Sequence, residues 1–431
     1  MSQVNPAVSE AIQPSLTFLN QLTSKDSPRD YAVRFWDGTV LEADAGQPTK
    51  FTLVLKHPGS VRQMFWPFNK ASTGEAYIYD DMDIEGDINA FLDFLMQLQA
   101  RNLSSSEKVR LLFRLLTMPN IREKREGQLP VQLQGKRRSR ERDRKAIAYH
   151  YDAPPTEFFR LFLDPWMQYT CAYFEDPNES VDVAQERKLD YVCRKLRLKP
   201  GERLVDFGCG WGGLITFAAK NYGVETVGVT LSKKQFDSGN QLIQEMGLQK
   251  RCRIDYMDFR EFPETEKFDK VVSIGFAEHI GPSMMPIFFG KVWNLLKPNG
   301  LYLHHAITLK PFVPFPSWRT FALKYVFPDG ELVPITETLK YLAASGFEIR
   351  DTESLREHYI YTLENWLSRL ESEYDQVKNL MSEVTYRIYR LYFAGSIRGF
   401  RTGLYNIYQT VVCKSENEVT GLPLTRNAWY E

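Results

Sequence analysis

Ten residues, Leu204 to Gly213, constrain this chain more than any others. They read LVDFGCGWGG: a short apolar strand, a glycine-rich turn and the approach to a helical pattern over residues 214–220. A strand that feeds such a turn and then a helix opens a βαβ unit, and βαβ units build parallel sheets covered by helices. The pattern recurs downstream. Residues 226–230, 268–274 and 300–304 read as further strands, and residues 233–246 as a helix between the first two of them. A doubly wound α/β sheet is the expected fold, with its ligand beyond the carboxyl ends of the strands.

At 431 residues the chain exceeds one ordinary domain. Residues 1–120 read as a separate, small α+β unit. Tyr31 to Trp36 is rich in strand formers and runs into Asp37-Gly38, a hairpin signal, with Thr39 to Glu42 as the partner strand. Residues 51–56 form another strand candidate, and residues 88–98 and 107–118 have helical spacing. Residues 121–148 read as a basic linker, and residues 149–431 as the second domain.

The turn itself narrows the ligand. Gly208, Gly210 and Gly212 permit tight turning and close backbone approach. Their spacing alone does not exclude a dinucleotide, but no Lys-Ser/Thr pair follows, so a P-loop is excluded. Asp206, on the strand end, decides between the rest. A carboxylate there repels a pyrophosphate and suits a ligand that carries an ammonium and a sulfonium, which is S-adenosylmethionine. The next strand lacks the usual ribose-binding acid at its end. Thr230, Ser232 and Gln235 offer hydroxyl and amide partners instead, and Asp258 stands where adenine is contacted in such folds, or else caps a helix.

Net charge is zero, so nothing in the whole-molecule balance points to nucleic acid. The five cysteines include no CxxC pair, which argues for a reducing compartment and against a zinc site. No signal peptide or membrane-spanning run is legible, so the expected location is cytoplasmic, with peripheral membrane association left open. Residues 134–145, QGKRRSRERDRK, hold seven basic and two acidic residues. The run is either a solvated linker or a patch for an anionic membrane surface, where each basic residue contributes about 1 kcal/mol.

From His150 almost to the C-terminus the chain carries HYD (His150-Tyr151-Asp152), FFRLFLDPWMQYTCAYFED (158–176), VDFGCGWGGL, VGVTLSKKQ, EHIG (278–281), KYVFPDG (324–330) and FRTGLYNIYQTVV (400–412). Together these resemble the cyclopropane-fatty-acyl-phospholipid synthases and the related mycolate methyltransferases. Gly74-Glu75-Ala76-Tyr77 resembles the smaller, lipid-associated domain of that family more loosely. The resemblance implies a Rossmann-like class I methyltransferase sheet with a helical cover. It implies methyl transfer from S-adenosylmethionine to a cis double bond of an unsaturated phospholipid chain, then ring closure with bound bicarbonate as the base. Cys171, Glu278, His305, Ile307 (through its backbone) and Tyr359 would surround that ion, and Tyr151, Tyr169 and Thr170 would contact the cofactor. Taken singly, Cys171, His305 and Tyr359 are equally natural core residues; their joint order and context favour the site. Phe312, Phe315, Trp318, Phe321, Tyr325 and Phe327 would line an acyl tunnel or simply pack the core. The small domain would contact lipid or a second copy of the chain, making a homodimer.

The chain departs from the family at Ala277, where Phe commonly precedes the Glu-His pair, and at His304, where an apolar residue is usual. Both put the product in question. A methylene- or methyl-branched acyl chain is the first alternative to the ring. A small-molecule amine methyltransferase is the second, and a non-catalytic lipid-binding module the third.

Overall fold

The computed structural model describes residues 12–23, 28–67, 71–121, 130–311, 317–415, 420 and 422–430. The chain divides into two compact units.

The smaller unit takes in residues 1–130, 315–326 and 382–398. Its four-stranded sheet has the order β2-β1-β3-β4, from β1 (Ala32–Arg34), β2 (Val40–Leu41), β3 (Phe51–Leu55) and β4 (Met82–Gly86). The Asp37-Gly38 turn makes the expected hairpin, with Val33 opposite Leu41. Tyr31 and Phe51 stack at 5.1 Å, and Phe91 and Phe94 of the Ile88–Ala100 helix close over them.

Two later segments belong here rather than with the second domain expected over 149–431. Buried guanidinium groups explain why, because each must find acceptors when removed from water. Arg387 donates to the Tyr77 carbonyl and pairs with Asp83 at 3.0 Å, while Arg390 donates to the Tyr77 hydroxyl and the Ile84 and Gly86 carbonyls. Phe321 and Tyr325 lie in this unit too. A Cβ on Gly74 would approach the Phe321 ring to 3.0 Å, so the small residue in Gly-Glu-Ala-Tyr keeps room for that ring. Lys324 and the Tyr325 hydroxyl both reach Glu75. Phe312 and Phe315 lie outside the described residues, as does the side chain of Trp318.

The larger unit holds residues 131–314, 327–381 and 399–431. It is mixed α/β around a seven-stranded sheet of order β10-β11-β9-β8-β5-β6-β7. The expected strands are β5 (Arg203–Phe207), β6 (Glu225–Thr230), β8 (Phe268–Ile274) and β9 (Leu296–Leu309). Three were not anticipated: β7 (Cys252–Tyr256), β10 (Glu348–Ser354) and β11 (Tyr405–Cys413). The first two are polar edge strands without the continuous apolar run of a central one. Strands β7, β6, β5, β8 and β9 run parallel, whereas β11 and β10 are antiparallel additions. Neighbouring residues serve opposite faces. Val205 and Tyr302 pack with Phe288 and Phe289 on one side, and Leu204 and Leu303 with Leu214 and Phe217 on the other. Strand β5 sits between β6 and β8, where the winding reverses, so the turn after it opens into a cleft.

Candidate active site

The turn after β5 opens into a pocket of about 1190 Å³ lined by Tyr151, Tyr169, Thr170, Asp206, Gly208, Gly210, Thr230, Gln235 and Asp258, among others. All nine are residues the sequence had singled out for the cofactor. Gly208 and Gly210 have φ of +83° and +56°, which a side chain would strain. The next glycines serve the scaffold. Gly212 begins the Gly213–Tyr222 helix, and a Cβ on Gly213 would stand 2.1 Å from the Trp166 carbonyl oxygen. Neither Gly212 nor Ser232 lines the pocket. Ser232 caps the Lys233–Glu245 helix through the Gln235 amide and donates to Asp152. Thr230 donates to Gln235 Oε1 at 2.8 Å, which fixes that side chain at the pocket edge.

Asp206 is the group that asks for a ligand. It is buried, and its Oδ1 has no hydrogen-bond partner. Burial pushes its pKa up to about 7, although the nearby Lys188 ammonium draws it down. Asp258 has no such vacancy. Burial alone would raise its pKa, but Arg260 binds both of its oxygens and holds it below the usual carboxylate range. Asp258 also caps the short helix Phe259–Glu261, as a structural reading of the sequence had allowed.

The segment expected as a basic linker is part of this pocket. Ser139 caps a helix over Arg140–Ile147, and Arg138, Asp143, Ala146 and Ile147 line the cavity. Four of its seven basic residues pair with acids of the same unit. Arg137 and Arg138 pair with Glu331, Arg142 binds Asp329 through two nitrogens, Arg140 pairs with Glu261 at 2.8 Å, and Asp143 meets Arg260 at 2.8 Å. Alternating signs in the run are what this cross-bracing requires.

The five residues assigned to an ion line no part of that pocket. They occupy one neighbourhood beside it. His305 and Ile307 lie two apart on β9, on one face. Glu278 Oε1 accepts from the Ile307 amide at 2.7 Å, so the backbone of Ile307, expected to meet the ion, orients Glu278 through its amide. Ile407 lies opposite Ile307 and accepts from the Leu355 amide. The Leu355 carbonyl in turn receives the Tyr359 amide at 3.1 Å and lies 3.7 Å from the Cys171 sulfur. Glu278 Oε2 and His305 Nε2 are buried without a protein partner. Burial raises Glu278 to about 7 and holds His305 well below its usual range, hence neutral. Burial also pushes the Cys171 thiol well up, so it is no thiolate.

The two departures noted in the sequence do not reach this place. His304 faces the opposite side of β9, where its Nδ1 meets the Tyr302 hydroxyl at 2.8 Å and its ring packs on Phe289. Ala277 is buried in the same apolar cluster as Phe288 and does not line the cofactor pocket.

Residues 138–410 match the sequence model for mycolic acid cyclopropane synthetase. A Pseudomonas putida protein described as a probable fatty acid methyltransferase is 34% identical over 402 residues, covering 92% of this chain and 95% of its own. The chain belongs to the mycolic acid cyclopropane synthetase family.

Other relatives agree with that membership. Cyclopropane mycolic acid synthase 1 of Mycobacterium tuberculosis is 35% identical across 61% of this chain and 94% of its own. The crystal structure of the cyclopropane synthase MmaA2 from the same organism superposes with a TM-score of 0.60 at 33% identity, covering 63% of this chain and 98% of that one. A structure of CmaA1 complexed with SAH and CTAB gives the same TM-score at 34% identity, with the same coverage. Residues 18–107 match a domain of unknown function. The protein is thus an S-adenosylmethionine-dependent methyltransferase of the mycolic acid cyclopropane synthetase family. Its pocket fits that cofactor on its own terms: an unsatisfied buried carboxylate for a cation, a glycine turn for close approach and aromatic rings around them.

Sequence reasoning did not find Trp211, Lys188, Arg138, Asp143 or His279. Trp211 was visible inside the turn, and its ring meets Tyr151 and Phe159. The Tyr151 hydroxyl lies 3.3 Å from His279 Nε2. Lys188 is buried in mid-helix and donates to Gln168 Oε1 and Thr170 Oγ1. No local signal separates it from a surface lysine. Among the described residues, no group of His, Cys, Asp and Glu is arranged to hold a metal, and no helix is long and apolar enough to cross a membrane.

Proposed function

We propose that this enzyme methylenates a cis double bond in an unsaturated phospholipid acyl chain to form a cyclopropane ring, with bicarbonate as the base. The observation that carries the reading is the pair of buried, unpartnered atoms Glu278 Oε2 and His305 Nε2. Two such atoms in one neighbourhood call for a small polar guest.

S-adenosylmethionine, when bound, supplies an electrophilic methyl group. Asp206 would hold the cationic end of that molecule, and the turn at Gly208 and Gly210 would allow its close approach to the backbone. Tyr151, Tyr169 and Trp211 exclude water and offer aromatic faces, each contributing about 0.5–2 kcal/mol toward a nearby cation. The alkene would form one carbon–carbon bond to the methyl carbon as the sulfonium carbon–sulfur bond breaks, so that S-adenosylhomocysteine leaves with that electron pair and positive charge appears on the chain. Bicarbonate, when bound, supplies the acceptor for one proton of that methyl group. Losing that proton lets the carbon close onto the cationic centre. His305 would donate to the anion from Nε2 while staying neutral, and Glu278 would donate from Oε2 in its protonated form, which its raised pKa supports. Cys171 and Tyr359 would complete the enclosure.

A second reading keeps the same alkylation but loses a proton from the chain, leaving a branched acyl group. The Pseudomonas relative matched over nearly its full length, described as a probable fatty acid methyltransferase, favours it. Mass spectrometry of lipids from a host that makes unsaturated but unmodified phospholipids tests both. Acyl chains heavier by one methylene support the alkylation, and proton NMR of the product distinguishes ring from branch. Unchanged lipids, with cofactor binding intact, would turn attention to amine substrates.

A further inference from the structure

His305 lies in a row of side chains that spans three strands. Glu353 of β10 pairs in register with Gln409 of β11, and Gln409 pairs in register with His305 of β9. Directly opposed residues share a face of the sheet. The Val181–Lys195 helix covers this row and sends Lys195 into it. The Lys195 side chain is fully buried, as is Gln409. Lys195 forms an ion pair with Glu353 and donates to Gln409 Oε1 at 2.9 Å. Tyr191, one turn earlier, donates to the same Glu353 oxygen at 2.9 Å and places its ring 4.4 Å from the Lys195 ammonium. At the other end of the row, Gln409 Nε2 lies 3.3 Å from His305 Nδ1.

An ammonium has hydrogens to donate and no lone pair to accept with. The Gln409 atom that faces Lys195 must therefore be the amide oxygen. The amide nitrogen is then turned to His305, and it can only donate. His305 Nδ1 must accept, so a neutral His305 carries its one proton on Nε2. That nitrogen is the buried atom without a protein partner. Neutrality holds because burial and the two buried lysines nearby, Lys188 and Lys195, oppose protonation.

We propose that Lys195 and Gln409 are positioning residues that fix the tautomer of His305, so that Nε2–H is presented to an anion beside the substrate. The assignment rests on the reading of Glu278 and His305 as an ion site. It adds what makes His305 a donor there without giving it a positive charge, which would weaken the bound base. Without the ammonium, the amide could turn over and offer its oxygen, and the proton would move to Nδ1.

The test is nitrogen NMR of the intact protein with 15N-labelled histidine. The six histidines are few enough for assignment by a His305→Gln control. In the unaltered protein, His305 should show a protonated Nε2 and an unprotonated Nδ1; the reverse overturns the proposal, and no variant is needed to see it. In Gln409→Glu the side chain, ionised beside the Lys195 ammonium, can only accept, so the proton should move to Nδ1. Turnover on unsaturated phospholipid vesicles should fall about 100-fold in kcat, as loss of an orienting partner does elsewhere, with KM for S-adenosylmethionine within about twofold. Lys195→Met should give His305 a mixture of both tautomers. An unmoved Nε2–H in both variants overturns the proposal. If the unaltered protein alkylates no lipid, the functional reading fails, while the spectrum still decides the tautomer.

Discussion

Asp206 and Glu278 each keep one carboxyl oxygen buried and unsatisfied by the protein, and burial raises both to about 7. Their surroundings differ. Asp206 has the Lys188 ammonium as a neighbour, which favours its charged form. Glu278 is opposed by burial and relieved only by hydrogen bonds from backbone amides, including that of Ile307. Similar protonation constants thus prepare opposite roles. On the proposed reading, the cofactor pocket uses a carboxylate against a cation, and the neighbouring site uses a carboxylic acid against an anion. A shared pKa does not define a role; the nearest fixed charge does.

The largest effect should come from deleting the acid. Glu278→Ala is expected to lower kcat about 1000-fold, in the range for loss of a donor to developing charge, with the affinity for S-adenosylhomocysteine within about twofold. Glu278→Gln retains both an acceptor for Ile307 and a donor, so it should keep turnover within about tenfold of the parent. Equal losses in the two variants would show that a carboxylate, not an acid, is needed there.

Asp206→Asn should act on the other half of the comparison. A lost charged hydrogen bond of about 1.5–3 kcal/mol corresponds to a cofactor Kd weaker by about 10- to 150-fold. Calorimetry reads this directly. An unchanged Kd would remove Asp206 from cation binding.

The pH dependence sharpens the contrast, because the two groups must be in opposite forms. Asp206 serves when deprotonated, so cofactor affinity should weaken as pH falls below about 7. Glu278 serves when protonated, so kcat at saturating cofactor should decline as pH rises above about 7. A Kd that is flat with pH, or a kcat that rises through that window, breaks the respective half.

The smallest effect should follow Arg142→Ala, which releases Asp329 from the helix beside the pocket. Partly exposed ion pairs contribute about 0.2–1 kcal/mol, so KM for the cofactor should rise by no more than about fivefold. Binding to anionic vesicles at low salt should not change, since this arginine is held by a carboxylate; a clear loss would support the membrane-patch reading of the basic run.

The amino-acid order by itself determined the βαβ succession, the turn after β5, the acid at its start and nine of the residues lining the pocket. These are local matters: a strand, a glycine turn and a helix specify one another over about ten residues, and the carboxyl end of the strand is where a ligand must sit. It did not determine β7 or β10, whose polar edges lack an apolar signature. Nor did it show that His304 and His305, adjacent in the chain, serve opposite faces and only one reaches the site. The completion of the small unit by residues 315–326 and 382–398 was also invisible, because the buried Arg387 and Arg390 find their acceptors some 300 residues earlier in the chain. The same holds for the Lys195–Gln409–His305 row. Each member is an unremarkable residue in its own segment. Only the pairing of three strands under one helix puts a donor against an acceptor, and the burial of that row leaves the protons no other arrangement.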